Sequence, residues 1–192
     1  LSQVLRGLDA AQAAGLKVKI NTVALKGVNE DEIAPMIEWA HGRGMDLTLI
    51  EVMPLGEIEE DRTDQYLPLT AVQDRLAEQW SLRPLAMKTG GPARYVKVEE
   101  TGGVLGMITP LTNNFCAGCN RVRVTCTGEI YMCLGHGDKI DLRAAMRGAD
   151  PQAALDAALD RAMLKKPERH AFDISKRGAA PAVSRHMSVT GG

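Results

Sequence analysis

Four cysteines, Cys116, Cys119, Cys126 and Cys133, fall within 18 consecutive residues of a 192-residue chain. Two thiolates three residues apart chelate one metal from a single turn, and clustered cysteines in a reducing compartment hold metal more often than they pair as disulfides. A hairpin turning at Thr127-Gly128, with arms of about six residues, returns Cys133 beside the Cys116/Cys119 pair. Cys126 is offset toward the turn and is poorly placed to join them. Two metals fit this pattern. With His136 from Cys133-Leu-Gly-His136 the set becomes Cys3His, a closed tetrahedral zinc site, and spacing alone favours it. Alternatively three thiolates hold a 4Fe-4S cluster and leave one iron open to a ligand. The plainest alternative to both is that the thiols are small buried apolar side chains.

Directly after the pair come Arg121 and Arg123, two residues apart. If Asn120 to Thr125 is a strand, both guanidiniums and Thr125 share a face and form a fork for an oxyanion, since arginine donates two parallel bonds to phosphate oxygens. Otherwise they are two solvated residues on an exposed strand face. The charge distribution supports an anionic ligand. Residues 1–115 carry 11 basic and 16 acidic side chains, the remainder 12 and 8, so the excess positive charge lies with the cysteines. Aromatic residues make up only 4% of the chain, too few for the stacking platforms of a nucleic-acid binder.

The elements that must position these groups follow from periodicity. Residues 2 to 14 place Val4, Leu5, Leu8 and Ala11 at helical spacing before Gly15. Lys17 to Leu25 alternates, with Val18, Ile20, Thr22 and Ala24 on one face and Lys17, Lys19, Asn21 and Val23 on the other. Asn29 is the expected N-cap of a helix running to about His41, and Leu47 to Met53 is a second strand. Pro54 to Tyr66 is an acidic loop of the kind that sits over sites. Thr70 is expected to cap a helix reaching Gln79. Tyr95–Glu99, Val104–Thr109 and Arg121–Met132 read as short strands, and residues 152 to 164 as an Ala-rich helix.

Helix, strand, helix, strand with short connections reads as parallel α/β, part of a barrel or of an open wound sheet. A boundary is placed near Ser81: residues 1–80 form the α/β part and residues 81–192 a small α+β domain with an antiparallel sheet. No apolar run approaches the roughly 18 residues needed to span a bilayer, and no secretory signal opens the chain, so the cytoplasm is the default compartment. A start at Leu1 in the midst of a helical pattern suggests a piece of a longer protein.

Phe115-Cys-x-x-Cys-Asn-Arg-x-Arg-x-Thr-x-x-Gly-x-x-x-x-Cys-Leu, together with Lys19-Ile-Asn21, Lys26-Gly27-Val-Asn29, Ile50-Glu51-Val-Met53-Pro and the terminal Gly191-Gly192, resembles the C-terminal part of the GTP 3′,8-cyclase family of radical S-adenosylmethionine enzymes, which act in molybdenum cofactor biosynthesis. The match runs essentially the whole length. The resemblance implies that residues 1–80 are the last units of a partial (β/α) radical-SAM barrel and residues 81–192 an iron-sulfur and GTP-binding domain. It turns the metal preference from zinc to an auxiliary 4Fe-4S cluster on Cys116, Cys119 and Cys133, whose open iron contacts the guanine of GTP, and leaves His136 outside the ligand set. It further implies that Lys19, Arg121 and Arg123 bind the GTP phosphates, that Met53 packs on the adenine of S-adenosylmethionine, and that Gly191 and Gly192 form a tail entering the active site. GTP, S-adenosylmethionine and a second copy of the chain are the implied partners, with no nucleic acid and no membrane.

Three departures accompany the resemblance. Thr48 stands where many relatives carry Arg, Cys126 stands where Ser or Thr is usual, and the Cys-x3-Cys-x2-Cys loop of the cluster that cleaves S-adenosylmethionine is absent. The chain is therefore expected to be the substrate-side portion of such an enzyme, inactive by itself. The rival expectation from another class is a non-enzymatic Cys3His zinc module that binds a partner.

Overall fold

In the computed structural model, which describes residues 1–57, 62–175, 178 and 180–190, the chain forms two compact units. One comprises Leu1–Val52 and Gln65–Asn113, the other Met53–Asp64 and Asn114–Gly192. The first unit holds α1 (Ser2–Ala13), β1 (Lys19–Ala24), a 3-10 turn (Glu30–Glu32) running into α2 (Ile33–Gly42), β2 (Asp46–Glu51), α3 (Leu69–Ala77), β3 (Leu82–Leu85), β4 (Arg94–Val98) and β5 (Val104–Ile108). Along β1 the even-numbered residues are the more buried ones, as a strand period of two requires.

The five strands make one mixed sheet in the order β1-β2-β5-β4-β3, with β1, β2 and β5 parallel and β5, β4 and β3 antiparallel. β3, β4 and β5 lie beyond the boundary placed near Ser81, and they complete the same sheet as β1 and β2. The physical reason is backbone pairing: β1 satisfies one edge of the buried β2, and without β5 the other edge would leave its amides and carbonyls unpaired. Ile33, Ile37 and Ala40 of α2 and Leu69, Val72 and Leu76 of α3 pack with Leu47, Leu49, Leu105, Val96 and Val98 of the sheet. Each large side chain buried there contributes about 1.5–3 kcal/mol.

Two caps differ from expectation. Asn29 makes no cap bond; its Oδ1 accepts from the Leu25 amide at 2.8 Å and its Nδ2 donates to the Val23 carbonyl at 3.0 Å, tying the loop back to the end of β1. Thr70 does not cap α3: the helix already starts at Leu69, after Pro68, so Thr70 lies inside its first turn, and the Leu69 amide donates to the Glu51 carboxylate at 3.2 Å. Glu51 is fully buried, and it also accepts from the amides of Leu111 and Thr112 at 2.9 and 3.0 Å and from the Thr112 hydroxyl. One carboxylate thus joins the end of β2, the start of α3 and the loop after β5.

The second unit holds a 3-10 turn (Cys116–Gly118), β6 (Arg123–Val124), β7 (Glu129–Tyr131), β8 (Lys139–Asp141), α4 (Leu142–Met146), α5 (Pro151–Leu164) and a last 3-10 turn (Met187–Val189). β6, β7 and β8 form an antiparallel sheet in that order. Asp141 caps α4 through the Ala144 amide and Asp150 caps α5 through the Ala153 amide, with Pro151 in the first turn where its missing N–H is harmless. The core here is small: Ile130, Met132, Leu142, Ala158 and Ala162. Among the described residues of both units, no helix is long and apolar enough to cross a membrane.

Candidate functional site

The paired cysteines sit on a single 3-10 turn. The Cys119 amide donates to the Cys116 carbonyl at 2.9 Å, and the Asn114 side chain accepts from the Cys116 amide at 2.6 Å, which fixes where the turn starts. The chain then enters the hairpin whose turn spans Thr125 to Gly128. Gly128 has φ +80°, a left-handed conformation that glycine adopts without strain, and its amide donates to the Thr125 carbonyl at 3.0 Å. The Thr125 hydroxyl accepts from the Glu129 amide at 3.1 Å, closing the hairpin base. Cys126 is exposed at this turn, whereas Cys116, Cys119 and Cys133 are half-buried.

Burial pushes the Cys133 thiol above the ordinary cysteine value. The Gly135 amide and the Lys166 ammonium pull it down, while Cys116 and Cys119 push it further up, so Cys133 stands within the field of the other two thiols. All four cysteines are free. Among the described residues, no three Cys, His, Asp or Glu side chains are arranged as a group that could hold a metal ion. His136 is turned to the Arg169 carbonyl, with Nε2 at 3.0 Å; because a carbonyl only accepts, that nitrogen carries the proton and only Nδ1 is left to ligate.

Arg121 and Arg123 differ from expectation in one respect. The ladder includes Arg123 but ends before Arg121, so the strand is shorter than Asn120–Thr125. The alternation survives beyond it: Arg121 and Arg123 are half-buried and Thr125 is buried, while Val122, Val124 and Cys126 are exposed. The Arg121 guanidinium lies 5.7 Å from the Phe115 ring centroid, a cation–π contact that braces it beside the cysteine turn.

Two further cations, which the sequence reading did not single out, reach the same hairpin. Lys166 Nζ donates to the carbonyls of Arg121 and Met132, and Arg185 Nη2 donates to those of Cys133 and Leu134. Lys166 lies two residues beyond the end of α5, where a basic residue reads as a complement to the helix terminus. Arg185 lies in a stretch without periodicity. Neither position carries a motif.

In the sheet unit, Lys19 is exposed on β1 in the same face as Asn21, and its ammonium lies 5.9 Å from the Tyr95 ring centroid. The row Asn21–Thr48–Gly106–Tyr95 crosses four strands. Thr48 is fully buried, and its hydroxyl is without a hydrogen-bond partner among the described residues. A Cβ at Gly106 would lie 2.6 Å from that hydroxyl oxygen, so only glycine fits opposite Thr48. Met53 follows β2 and is half-buried, in the second unit. Gly191 and Gly192 lie outside the described residues.

Comparison with known proteins adds a family and a length. The family model described as Molybdenum Cofactor Synthesis C matches residues 45–172. All 192 residues align at 65% identity with a protein of Erythrobacter litoralis (strain HTCC2594) named GTP 3′,8-cyclase, of which the chain covers 58%. Proteins of the same name from Rhizobium meliloti (strain 1021) and Rhodopseudomonas palustris (strain ATCC BAA-98 / CGA009) are 61% and 62% identical over 192 residues, which make up 55% and 56% of their lengths. The chain thus spans a little over half the length of these curated relatives.

Proposed function

This chain belongs to the Molybdenum Cofactor Synthesis C family, and from that membership we propose that it is the substrate-side portion of a GTP 3′,8-cyclase. Cys116, Cys119 and Cys133 would hold an auxiliary 4Fe-4S cluster, and Arg121, Arg123 and Lys19 would bind the GTP triphosphate. The observation that carries this reading is a single hairpin: half-buried Arg121 and Arg123 lie on one arm, directly after the Cys116/Cys119 turn, and Cys133 follows the other arm.

The donor chemistry supports a thiolate-held centre. Cys116, Cys119 and Cys133 are free and half-buried, and thiolates are the ligands an iron-sulfur centre takes; the three do not close into a metal-holding group among the described residues, so the cluster reading rests on their spacing and on the family. His136, engaged with Arg169, supports a Cys3His zinc site less well. When bound, the cluster supplies an iron open to the guanine base. The chain's own residues do the rest. The guanidiniums of Arg121 and Arg123 would donate in pairs to phosphate oxygens. Holding the triphosphate while the base is held fixes the ribose between them, which is the positioning share of catalysis. In this proposal residues 1–80 form the last part of a partial barrel, Met53 packs on the adenine of S-adenosylmethionine and Gly191 and Gly192 enter the active site. Cleavage of S-adenosylmethionine requires a second cluster, for which a single remaining cysteine, Cys126, is too few. That step, and with it conversion of GTP to 3′,8-cyclo-7,8-dihydro-GTP, is assigned to the longer protein, and this chain alone is inactive.

Calorimetric titration with GTP and guanosine tests the phosphate assignment. Arg123→Ala is expected to weaken GTP binding by about 1.5–3 kcal/mol, the worth of a charge-assisted bond, and to leave guanosine nearly unchanged. Equal losses for both ligands would show that the arginine supports the fold instead.

A further inference from the structure

The β6–β7 ladder pairs Val124 with Ile130 and Arg123 with Tyr131, and there it stops. Continued in register, it would set Arg121 opposite Cys133. In place of the next rungs, Lys166 Nζ lies 2.8 Å from the Arg121 carbonyl and 2.7 Å from the Met132 carbonyl. A ladder joins an amide to a carbonyl; an ammonium between two carbonyls holds both acceptors turned inward and leaves the strands apart. The next two carbonyls, of Cys133 and Leu134, accept from Arg185 Nη2 at 3.2 and 2.7 Å, and the Arg185 guanidinium stacks 4.3 Å from the Tyr131 ring centroid. Three successive peptide planes, beginning at the carbonyls of Met132, Cys133 and Leu134, are therefore each fixed by a cation. Because a peptide unit is rigid, fixing the planes on both sides of Cys133 fixes the direction of its Cα–Cβ bond.

We infer that Lys166 and Arg185 are positioning residues of this site: together they clasp the open end of the β6–β7 hairpin and set where Arg121 and Cys133 face a ligand. The clasp is seen in the chain's own geometry; its consequence for ligands rests on the proposed GTP and cluster assignment. Neither cation needs to touch substrate. Each acts through a carbonyl whose neighbouring side chain does.

The test uses this chain with Lys166→Met, Lys166→Arg and Arg185→Lys, following backbone amide exchange in the metal-free protein and GTP and guanosine affinity by calorimetry. In Lys166→Met, exchange at the β6 and β7 amides is expected to accelerate about tenfold, with α5 and the five-stranded sheet unchanged. GTP affinity falls about tenfold while guanosine affinity stays within about twofold, and Lys166→Arg recovers half or more of both losses. Arg185→Lys keeps a charge but loses the planar group whose stacking on Tyr131 aims Nη2 at both carbonyls, and it loosens residues 133–134 in the same way; it carries the test if Lys166→Met does not fold. Unchanged exchange in the hairpin, equal acceleration throughout the chain, or no recovery with arginine would overturn the clasp. Wild-type protein that binds no GTP would defeat the proposed function, and the exchange data would still decide the clasp.

Discussion

The two units hold polar groups inside the protein by opposite means. In the five-stranded unit, 16 of the described residues form one buried core, and the buried Glu51 side chain has its oxygens met by backbone amides and a hydroxyl. In the hairpin unit, the buried core cluster among the described residues has five members, and cationic side chains meet backbone carbonyls. The large core can stand on burial, so its carboxylate serves to join three segments. The small core gains little from burial, so the hairpin depends on Lys166, Arg185 and, by the proposal, a bound cluster, as small domains depend on staples or metal. By the proposal, stability and ligand binding are thus divided along the chain.

Glu51→Gln should show the largest effect in the sheet unit. The amide keeps the shape but turns N–H groups toward amides that also donate, leaving buried donors unmet, and the expected loss is about 3 kcal/mol in urea unfolding. Iron uptake by the hairpin should be unchanged once the protein is folded. A loss below about 1 kcal/mol would mean that the carboxylate joins nothing essential.

Gly103→Ala comes next. A Cβ there would fall 2.2 to 2.4 Å from atoms of the His41 ring, and the resulting shift should lower stability by about 1–3 kcal/mol. An unchanged urea midpoint would show that the ring moves aside freely.

His41 itself gives a smaller effect whose sign is fixed. Burial pulls its imidazole below the ordinary value of 6.5, against the opposing Val104 carbonyl bond and the Asp46 charge. The unfolded chain therefore takes up a proton before the native one does, and stability should fall as pH drops below 6.5 toward the lower native value, with no contribution above it. Thermal midpoints at about pH 7.5 and about pH 5.5, compared with those of His41→Gln, measure this. An equal slope in the variant would assign the acid loss elsewhere. Smallest of all, Lys17→Ala should change stability by less than about 0.5 kcal/mol, since Lys17 is 84% exposed and its 3.5 Å pair with Asp46 is solvated.

What the sequence made legible follows the same division. β1 was readable because one face is buried and the other wet, and the hairpin turn because Gly128 adopts a positive φ. β3 escaped: it is an edge strand of four residues containing Pro84, and only at an edge is the missing N–H tolerated. β8 and α4, of three and five residues, are too short to display a period. The cysteines and arginines of the proposed site carry a spacing, so the sequence singles them out. Lys166 and Arg185 bind carbonyl oxygens, which every residue possesses, so their partners leave no mark on the sequence. Glu51 stood in plain view within Ile50-Glu51-Val-Met53-Pro, but nothing in that run tells a buried carboxylate from a solvated one.

The proposal that the hairpin unit is a thiolate-held iron-sulfur and nucleotide site is tested most directly by iron, sulfide and zinc quantitation after anaerobic reconstitution of the chain. The predicted result is about four irons and four sulfides per chain, lost in Cys133→Ser and kept in Cys126→Ser. Stoichiometric zinc without iron uptake, or equal loss of iron in both variants, would contradict it.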